Sequence, residues 1–396
     1  MMRTALTTVA VLTMLGCTQT HVVLMFGDGG ESPDATADAD ALPAAATVVS
    51  IASYHACAIA AGALYCWGAN AEGRLGTGDT NPHLAPARVG ADTDWLTVAT
   101  SARATLVLKR NGQLWSFGAN DNGQLGVGDF AARPAPTRVG DRTDWTAIAT
   151  RFDHACALAR DGSLWCWGAN TEGQLGQDDQ YGSSTDRAVP TAVTSGRDFV
   201  FVDTGQGHSC AIRANGTLWC WGRNSEGELG QGPNGAIQLR RPVQVGTATS
   251  WQAVQAGQNF TCGLRGGDTL CWGSAQDAAI PGGPAGAVID TPLSIGAPAG
   301  VVQLSINTFG GCVIDGTGAA YGWGRNIEGQ LGLGDVDARA TPTLIGSGWT
   351  QILVGRFSTC GVRDGAVVCT GDNRDGELGL GDTDRRAVPT PVTLPR

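Results

Sequence analysis

The chain has 396 residues, a formal net charge of −10 and 59 glycines, about twice the usual share of glycine. The glycines follow no three-residue period and are accompanied by 12 tryptophans, which excludes collagen and argues against a disordered chain. The negative charge repels nucleic acids and anionic lipid surfaces, so we expect no nucleic acid among the partners. Regularly spaced glycines with aromatic residues predict many short strands joined by tight turns.

Residues 1–16 are typical of a bacterial lipoprotein signal peptide. Arg3 supplies a positive charge, residues 5–15 form an apolar segment too short for an ordinary membrane span, and the tetrapeptide MLGC, which ends at Cys17, resembles a lipobox. We therefore predict lipid attachment at Cys17, which would place the protein in the bacterial cell envelope, anchored to the outer membrane or the cell surface. The alternative is a plain secretory signal in which Cys17 is incidental.

Residues 17–46 are predicted to contain the lipid-anchor site and a flexible acidic tether. From residue 27 onward this segment is rich in Asp, Ala, Gly and Pro. Such a composition cannot bury enough apolar surface to order itself.

Residues 47–393 contain seven copies of one repeat, spaced by 47 to 54 residues. Each copy has four strand-like runs; in the second copy they are residues 95–100, 104–109, 113–117 and a short run around 137–140. Four strands in a period of about fifty residues are typical of propeller blades. The sequence thus predicts an all-β fold, a seven-bladed β-propeller with four-stranded blades. One aromatic position marks the copies: Trp67, Phe117, Trp167, Trp221, Trp272, Trp323 and, as the exception, Thr370.

The repeated phrase is WGxNxxGQLGxGD, preceded by a hairpin of the form HxCALxxDGxLxCWG. It resembles the repeat of the regulator of chromosome condensation family over nearly all of the chain after residue 46. The resemblance implies a seven-bladed propeller and, from the family's namesake, nucleotide exchange on a small GTPase. The fifth copy departs most, with Ala278-Ala279-Ile280 where other copies have Gly-Gln-Leu, and we expect a normal blade there with an altered loop.

The Asn and Asp residues of the phrase have a structural interpretation. The Asn side chains can bond local backbone and the Asp side chains can cap the next turn, whereas the spacing fits neither an EF-hand nor a phosphate-binding loop. The Asn positions are 70, 120, 170, 224, 326 and 373, and the Asp positions are 79, 129, 179, 335 and 382.

Ten cysteines form pairs within repeats, each pair flanking a turn, and we predict five disulfides. Turn length and Cys spacing change together, so that each pair stays opposed across its hairpin. An export signal implies an oxidising compartment; zinc is the rival interpretation, but the spacing lacks the usual close Cys-Cys motif. Cys312 is left over and is predicted to be a buried free thiol. The predicted pairs are Cys57 with Cys66, Cys156 with Cys166, Cys210 with Cys220, Cys262 with Cys271, and Cys360 with Cys369.

The sequence contains no recognisable catalytic motif, and we predict no enzyme activity, no cofactor and no metal site. His55, His154 and His208 share one repeat position. They are interpreted as side chains that bond local backbone, with a ring of ligand-binding histidines as the alternative.

Two loops after the glycine-rich phrase depart from the common length, in the third and fourth repeats. They carry Tyr181, Arg240 and Arg241, residue types that often anchor interfaces. These three are predicted partner-binding residues, with free drift of surface loops as the alternative.

The function predicted from these features is a monomeric, non-enzymatic scaffold that binds an unidentified protein at the bacterial cell envelope and reaches the membrane through its lipid anchor. One alternative is an exchange-factor-like regulator of a small GTPase, although the near-constant repeat length leaves no room for the wedge that the family's namesake inserts in one blade. Another alternative is a carbohydrate-binding propeller.

Overall fold

The structure, a computed structural model, describes residues 47–177 and 186–395. Over these ranges it contains seven four-stranded antiparallel sheets, each made of four consecutive strands. The first strands of neighbouring sheets pack against one another around a central axis, so the sheets form blades that radiate outward. The predicted all-β, seven-bladed propeller is therefore confirmed.

The strands of the first four blades are β1 (Val48–Ile51), β2 (His55–Ala60), β3 (Ala63–Gly68), β4 (His83–Arg88), β5 (Trp95–Thr100), β6 (Ala104–Lys109), β7 (Leu114–Gly118), β8 (Arg133–Arg138), β9 (Trp145–Thr150), β10 (His154–Ala159), β11 (Ser163–Gly168), β12 (Arg187–Arg197), β13 (Phe199–Thr204), β14 (His208–Arg213), β15 (Leu218–Arg223) and β16 (Gln238–Gln244). The strands of the last three blades are β17 (Trp251–Ala256), β18 (Phe260–Arg265), β19 (Asp268–Ser274), β20 (Val288–Ser294), β21 (Val301–Ile306), β22 (Gly310–Asp315), β23 (Ala320–Gly324), β24 (Arg339–Gly346), β25 (Trp349–Val354), β26 (Ser358–Arg363), β27 (Ala366–Gly371) and β28 (Arg386–Pro391).

The outer strand of the second blade lies earlier than the sequence predicts. It spans Arg133–Arg138, with Arg133 opposite Gly118, rather than a run around residues 137–140. Pro134 and Pro136 obscure it in the sequence because proline lacks the backbone N–H of a strand residue. An edge strand tolerates proline, since one of its sides faces no neighbour in the sheet.

The fifth blade is complete despite its altered sequence, as expected. Its loop contains a 3-10 turn at Gln276–Ala278. Ala278 has φ 60°, a left-handed conformation that glycine supplies at the equivalent position of the first blade, where Gly73 has φ 79°. The loop therefore keeps its path without glycine, at a cost in backbone strain.

The asparagine of the repeated phrase organises its own loop, as predicted. In the first blade the Asn70 side-chain oxygen accepts from the Leu75 N–H at 2.9 Å, and its amide donates to Asp79 Oδ1 at 2.8 Å. Asp79 Oδ1 in turn accepts from the Asn81 N–H at 3.0 Å. Blades 2, 6 and 7 repeat this arrangement around Asn120, Asn326 and Asn373.

The five predicted cysteine pairs are joined as disulfides in the structure, and the two members of each pair are directly opposed in the hairpin of the second and third strands. The Cα atoms of the pairs lie 4.0 to 4.1 Å apart, close to the separation at non-hydrogen-bonded positions of an antiparallel ladder. Cys312 is buried and free, opposite Gly322. The disulfides join Cys57 to Cys66, Cys156 to Cys166, Cys210 to Cys220, Cys262 to Cys271, and Cys360 to Cys369.

Tryptophans of the third strands tie five of the seven blades to the blade before them. The Trp221 side chain is fully buried, and its indole N–H donates to the Gln174 carbonyl of the preceding blade at 2.8 Å. A Cβ atom on Gly176, whose φ is 68°, would lie 2.8 Å from the Trp221 indole nitrogen. The absence of a side chain at Gly176 therefore leaves room for the Trp221 indole of the next blade. The same indole bond is made by Trp67, Trp167, Trp272 and Trp323.

The ring closes between blades 7 and 1 without a shared sheet, since β1 and β28 belong to different sheets. The Gln351 amide oxygen of β25 accepts from the Val49 N–H of β1 at 2.9 Å, and its nitrogen donates to the Val49 carbonyl at 3.1 Å. Trp67 completes the contact by donating to the Glu377 carbonyl at 2.9 Å. Side chains thus supply the closure that a shared strand would give.

Four features predicted from the sequence lie outside the described residues: the signal peptide of residues 1–16, the segment of residues 17–46 with its lipid site at Cys17, the turn-capping Asp179, and Tyr181 of the third loop. Among the residues that the structure does describe, none belongs to a helix long and apolar enough to cross a membrane.

Non-reducing peptide mapping of the oxidised protein should find five disulfides, each within one blade, and Cys312 as the single unpaired propeller cysteine. Chain-entropy arguments give each short loop about 2–3 kcal/mol of stabilisation, so replacing Cys210 and Cys220 together by Ser should lower the free energy of unfolding by about that amount. A bridge between two blades would contradict the prediction. The second blade is the internal control for the mapping, because it contains no cysteine and no bridge should be found there.

Candidate binding face at the channel mouth

Loops between the first and second strands of the blades meet at one end of the central channel. The third strand of each blade runs parallel to the first, so the loops that follow both strands lie on the same face of the propeller. We call the opening on this face the channel mouth. It is lined by Ile51, Ser53, Thr100, Arg151, Phe152, Asn307, Thr308, Val354 and Arg356.

Arg151 crosses the mouth from blade 3 to blade 6. Its Nη2 donates to the Ile306 carbonyl at 2.8 Å. Burial lowers the pKa of the guanidinium, and the negative charge of Asp203 partly opposes that shift. Within the described part of the chain, Arg151 Nε is buried without a hydrogen-bond partner. The Arg151 guanidinium therefore spans the channel with at least one N–H donor that has no partner among the described residues.

A cluster of cations and aromatic rings forms the blade 6 and 7 side of the face. The Arg356 guanidinium lies over the Phe357 ring, 5.0 Å from its centroid, and 5.9 Å from that of Phe309. Arg325 lies 4.7 Å from the Phe309 centroid. The side chains of Arg356 and Arg325 form no ion pair or hydrogen bond with any residue that the structure describes, so the rings are their main support.

Ion pairs between neighbouring blades hold the other loops of this face. Arg103 of blade 2 bonds Glu72 of blade 1 at 2.5 Å and Asp121 of its own blade at 2.6 Å. The bond to Glu72 is the largest of the influences that raise the Arg103 pKa. In blade 4, Arg223 pairs with Glu228 at 2.8 Å and also donates to the Gln258 carbonyl of blade 5. These contacts limit the motion of the loops.

The opposite face of the propeller repeats one arrangement. The cation that ends the second strand lies over the aromatic ring that begins the first strand of the same blade. Repetition in several blades is what a structural role predicts, whereas the channel mouth has a different set of side chains from each blade. These pairs are Lys109 with Trp95, Arg213 with Phe199, Arg265 with Trp251, and Arg363 with Trp349.

The three equivalent histidines do not bond local backbone, so the interpretation from the sequence is wrong on this point. They are fully buried, and each ring Nε2 lies 2.8 to 2.9 Å from a hydroxyl of the next blade. In turn each hydroxyl donates to a carbonyl of the histidine's own blade, as Ser209 donates to Gln174. A side chain at this depth reaches the neighbouring blade, which the hairpin pattern alone does not show. The pairs are His55 with Thr105, His154 with Ser209, and His208 with Thr261.

Comparison with known proteins decides the family. The Regulator of chromosome condensation (RCC1) repeat matches residues 61–108, 111–158, 161–212, 215–264 and 317–362, more than half of the chain. The chain belongs to the RCC1 repeat family. A second model of the repeat matches residues 96–124, 145–174 and 199–228. The altered fifth copy of the phrase falls in the interval between the last two RCC1 matches.

Similar proteins include much longer chains. HERC6 of Homo sapiens, a probable E3 ubiquitin-protein ligase, is 30% identical over 151 residues, which are 36% of this chain and 15% of HERC6. RCC2 of Mus musculus is 31% identical over 129 residues, which are 32% of this chain and 24% of RCC2. The chain therefore spans less than a quarter of the length of these relatives.

Among solved structures, Prp20p of Saccharomyces cerevisiae matches with a TM-score of 0.74 and 20% identity, over 89% of this chain and 87% of Prp20p. A match at this level of identity shows the same RCC1-type fold.

The predicted partner-binding arginines lie at the outer edge of blade 4. Arg240 is half-buried in β16, where its Nη2 donates to the Thr171 carbonyl of blade 3 at 3.2 Å. Its side chain also covers Gly173 of that blade. Arg240 thus has a structural contact between blades, whereas Arg241 is exposed beside it. Binding of a partner by Arg240, Arg241 and Tyr181 stays a prediction.

Sequence reasoning missed Arg151, Phe152 and Arg356. Each follows the first strand of a blade, at loop positions held by small or neutral residues in most other repeats of this RCC1 chain. This departure from the repeat was the signal in the sequence that could have identified these three residues. The structure gives no group of three or more His, Cys, Asp or Glu side chains placed to hold a metal ion among the residues it describes.

Lowering the pH should destabilise the propeller through its buried histidines. Burial lowers the pKa of His154 to about 3, so below pH 6.5 the unfolded chain takes up a proton that the folded chain takes up only near pH 3. The free energy of unfolding then falls across this window, by about 2 kcal/mol for His154 between pH 7 and pH 5. Urea unfolding at the two pH values measures the loss.

His154→Ala, which copies Ala104 of blade 2, should show a smaller loss between the two pH values than the parent protein. Ser358 is buried at the equivalent position of blade 7 and is the matched control, because Ser358→Ala removes no titratable group and should leave the pH dependence unchanged. Identical losses in the parent and the His154 variant would refute this assignment.

Proposed function

We propose that the chain is a non-enzymatic propeller that binds a regulatory protein partner at the channel mouth. The observation that carries this proposal is the contrast between the two faces. One repeats a single cation and aromatic pair in four of the seven blades. The channel mouth instead gathers Arg151, Phe152, Arg356 and Phe357 from two blades. A site that recognises one partner needs such an unrepeated surface on a rigid support.

The side chains at the mouth are of the types that dominate protein interfaces. Arginine and aromatic residues contribute most of the binding energy at many interfaces when partly enclosed. Phe152, Arg356 and Phe357 are half-buried on short loops between strands. Little loop ordering is then required when a partner binds, which favours affinity.

The family favours an exchange-factor-like regulator among the possible kinds of partner binding. Nucleotide exchange on a small GTPase is the activity implied by the family resemblance, and Prp20p is described with its binding properties to Gsp1p and histones. This support is stronger than that for an envelope scaffold, which rests on the signal-like N-terminus and the paired cysteines.

The exchange hypothesis predicts faster nucleotide release. Purified small GTPases of the source organism, loaded with a fluorescent guanine nucleotide, should release it at least about tenfold faster when the oxidised propeller is added, because a bound regulator must favour the nucleotide-free state. Phe152→Ala should reduce this acceleration. Arg110→Ala is the matched control, since Arg110 is exposed in a turn on the opposite face.

Release that stays at its intrinsic rate for every GTPase would overturn the exchange hypothesis but not protein binding. Affinity capture with the same three proteins then tests binding itself. A partner that is retained by the parent and by Arg110→Ala, and lost with Phe152→Ala, supports the channel mouth. An Arg241→Ala variant is captured in parallel, and a partner lost only with that variant would move the site to the outer loops.

As a second candidate function, an alternative to exchange on a small GTPase, we propose a protein-binding scaffold anchored in the bacterial cell envelope through Cys17; the signal-like N-terminus supports it. Cys17→Ser removes the only side chain that could accept the lipid in the predicted lipobox. Membrane fractions should retain the parent protein and lose the variant, and both should give the same unfolding curve after purification. Equal partitioning of the two proteins would leave a plain secretory signal as the explanation.

A further inference from the structure

The channel mouth concentrates positive charge, which the negative charge of Asp203 offsets only in part at Arg151. Arg151 and Arg356 are the charged residues of its lining, and neither forms an ion pair with a carboxylate among the described residues. The protein as a whole carries a net charge of −10. Two unpaired guanidiniums in one small opening are therefore a local excess of positive charge on an acidic protein. Partial burial of an unpaired cation is unfavourable.

Both guanidiniums have donors to spare. Arg151 uses Nη2 on the Ile306 carbonyl, while its Nε is buried and unpartnered in the described structure. The Nε of Arg356 is likewise buried without a partner there, and its guanidinium rests on the Phe357 ring. A guanidinium has five N–H donors in a fixed plane, so most of the donors at the mouth remain for a ligand.

Three backbone N–H groups of the mouth are used to close their own loops. Ala52, Asn307 and Gly355 donate to the carbonyls of His55, Gly310 and Ser358 at 2.8 to 3.0 Å. Phosphate sites usually rely on such backbone N–H groups or on a helix N-terminus. Planar guanidiniums match the paired oxygens of a carboxylate or of a phosphate. The apolar wall of Ile51, Phe152 and Val354 favours a carboxylate, because the more highly charged phosphate would cost more to desolvate there.

We propose that the channel mouth is a carboxylate-binding site in which Arg151 and Arg356 hold the anion. Phe152, Ile51 and Val354 give the site its apolar wall, which excludes water and strengthens the charge-assisted hydrogen bonds. The carboxylate can come from an acidic side chain of a protein or from a free organic acid. This assignment does not depend on which protein partner the propeller has.

Isothermal titration of the oxidised, full propeller with three probes tests the site. The probes are a short glutamate-only peptide with both ends blocked, succinate, and inorganic phosphate. Binding of the peptide alone would support a protein-borne carboxylate, and binding of succinate as well would support any carboxylate. Binding of phosphate in preference to both, or of no probe, would overturn the proposal.

Charge-matched variants separate this site from general attraction. Arg356→Gln should weaken binding of the carboxylate probe by at least about tenfold, and it should fold normally because the Arg356 side chain forms no hydrogen bond with the described residues. Arg151→Gln should weaken binding similarly. Arg110→Gln removes the same charge from the opposite face and should change the affinity less than about twofold. Equal losses with Arg110→Gln and Arg356→Gln would contradict a built site.

Discussion

The contact between consecutive blades is the interaction on which the rest of the structure depends. A four-stranded blade cannot bury both of its faces alone, so each blade needs its neighbours. Here an indole from the third strand enters the glycine-rich turn of the preceding blade and donates to a carbonyl there, as Trp221 does to Gln174. The indole combines a large apolar surface with one polar group that is satisfied in a fixed direction. It therefore sets the distance and the angle between blades.

The family repeat is offset from the blade, and the offset explains what the repeat encodes. The matched segment of residues 161–212, for example, begins in the turn before β11 and ends within β14. It thus contains the outer half of blade 3 and the inner half of blade 4. One sequence unit carries both partners of some contacts between blades, such as the Gln174 carbonyl and the Ser209 hydroxyl that donates to it. The bond from Trp221 to Gln174, by contrast, joins two consecutive units. The sequence repeat therefore spans parts of two blades rather than one sheet.

The rigid ring explains how one face can be free for function. Buried tryptophans, hydroxyl-bonded histidines and opposed cysteines all lie within or between the sheets, where the blades that carry them use them in nearly the same way. The loops after the first strands take no part in these tryptophan, histidine and cysteine contacts, and they differ from blade to blade. Arg151 can therefore cross the channel, and Arg356 can rest on Phe357, without any change in the ring that supports them.

Much of the fold follows from the sequence because its signals are local. The copy number, the four strands in each copy and the opposition of each cysteine pair depend on turn length and on the spacing of residues close in the chain, as between Cys360 and Cys369. The Asn70 loop is likewise determined by atoms within a dozen residues. Where local signals conflict, as at Pro134 and Pro136, the strand position predicted from the sequence is wrong.

Tertiary structure alone decided which distant residues meet. His154 bonds Ser209 rather than its own loop, and Arg240 packs on Gly173 of the previous blade; both contacts depend on the angle between blades, which no single repeat specifies. Arg151 reaches the Ile306 carbonyl across a separation of 155 residues. Such a contact exists only because seven blades close into a ring, and closure brings together loops that are remote in sequence. For that reason the sequence determined the propeller, and the closed ring determined its channel mouth.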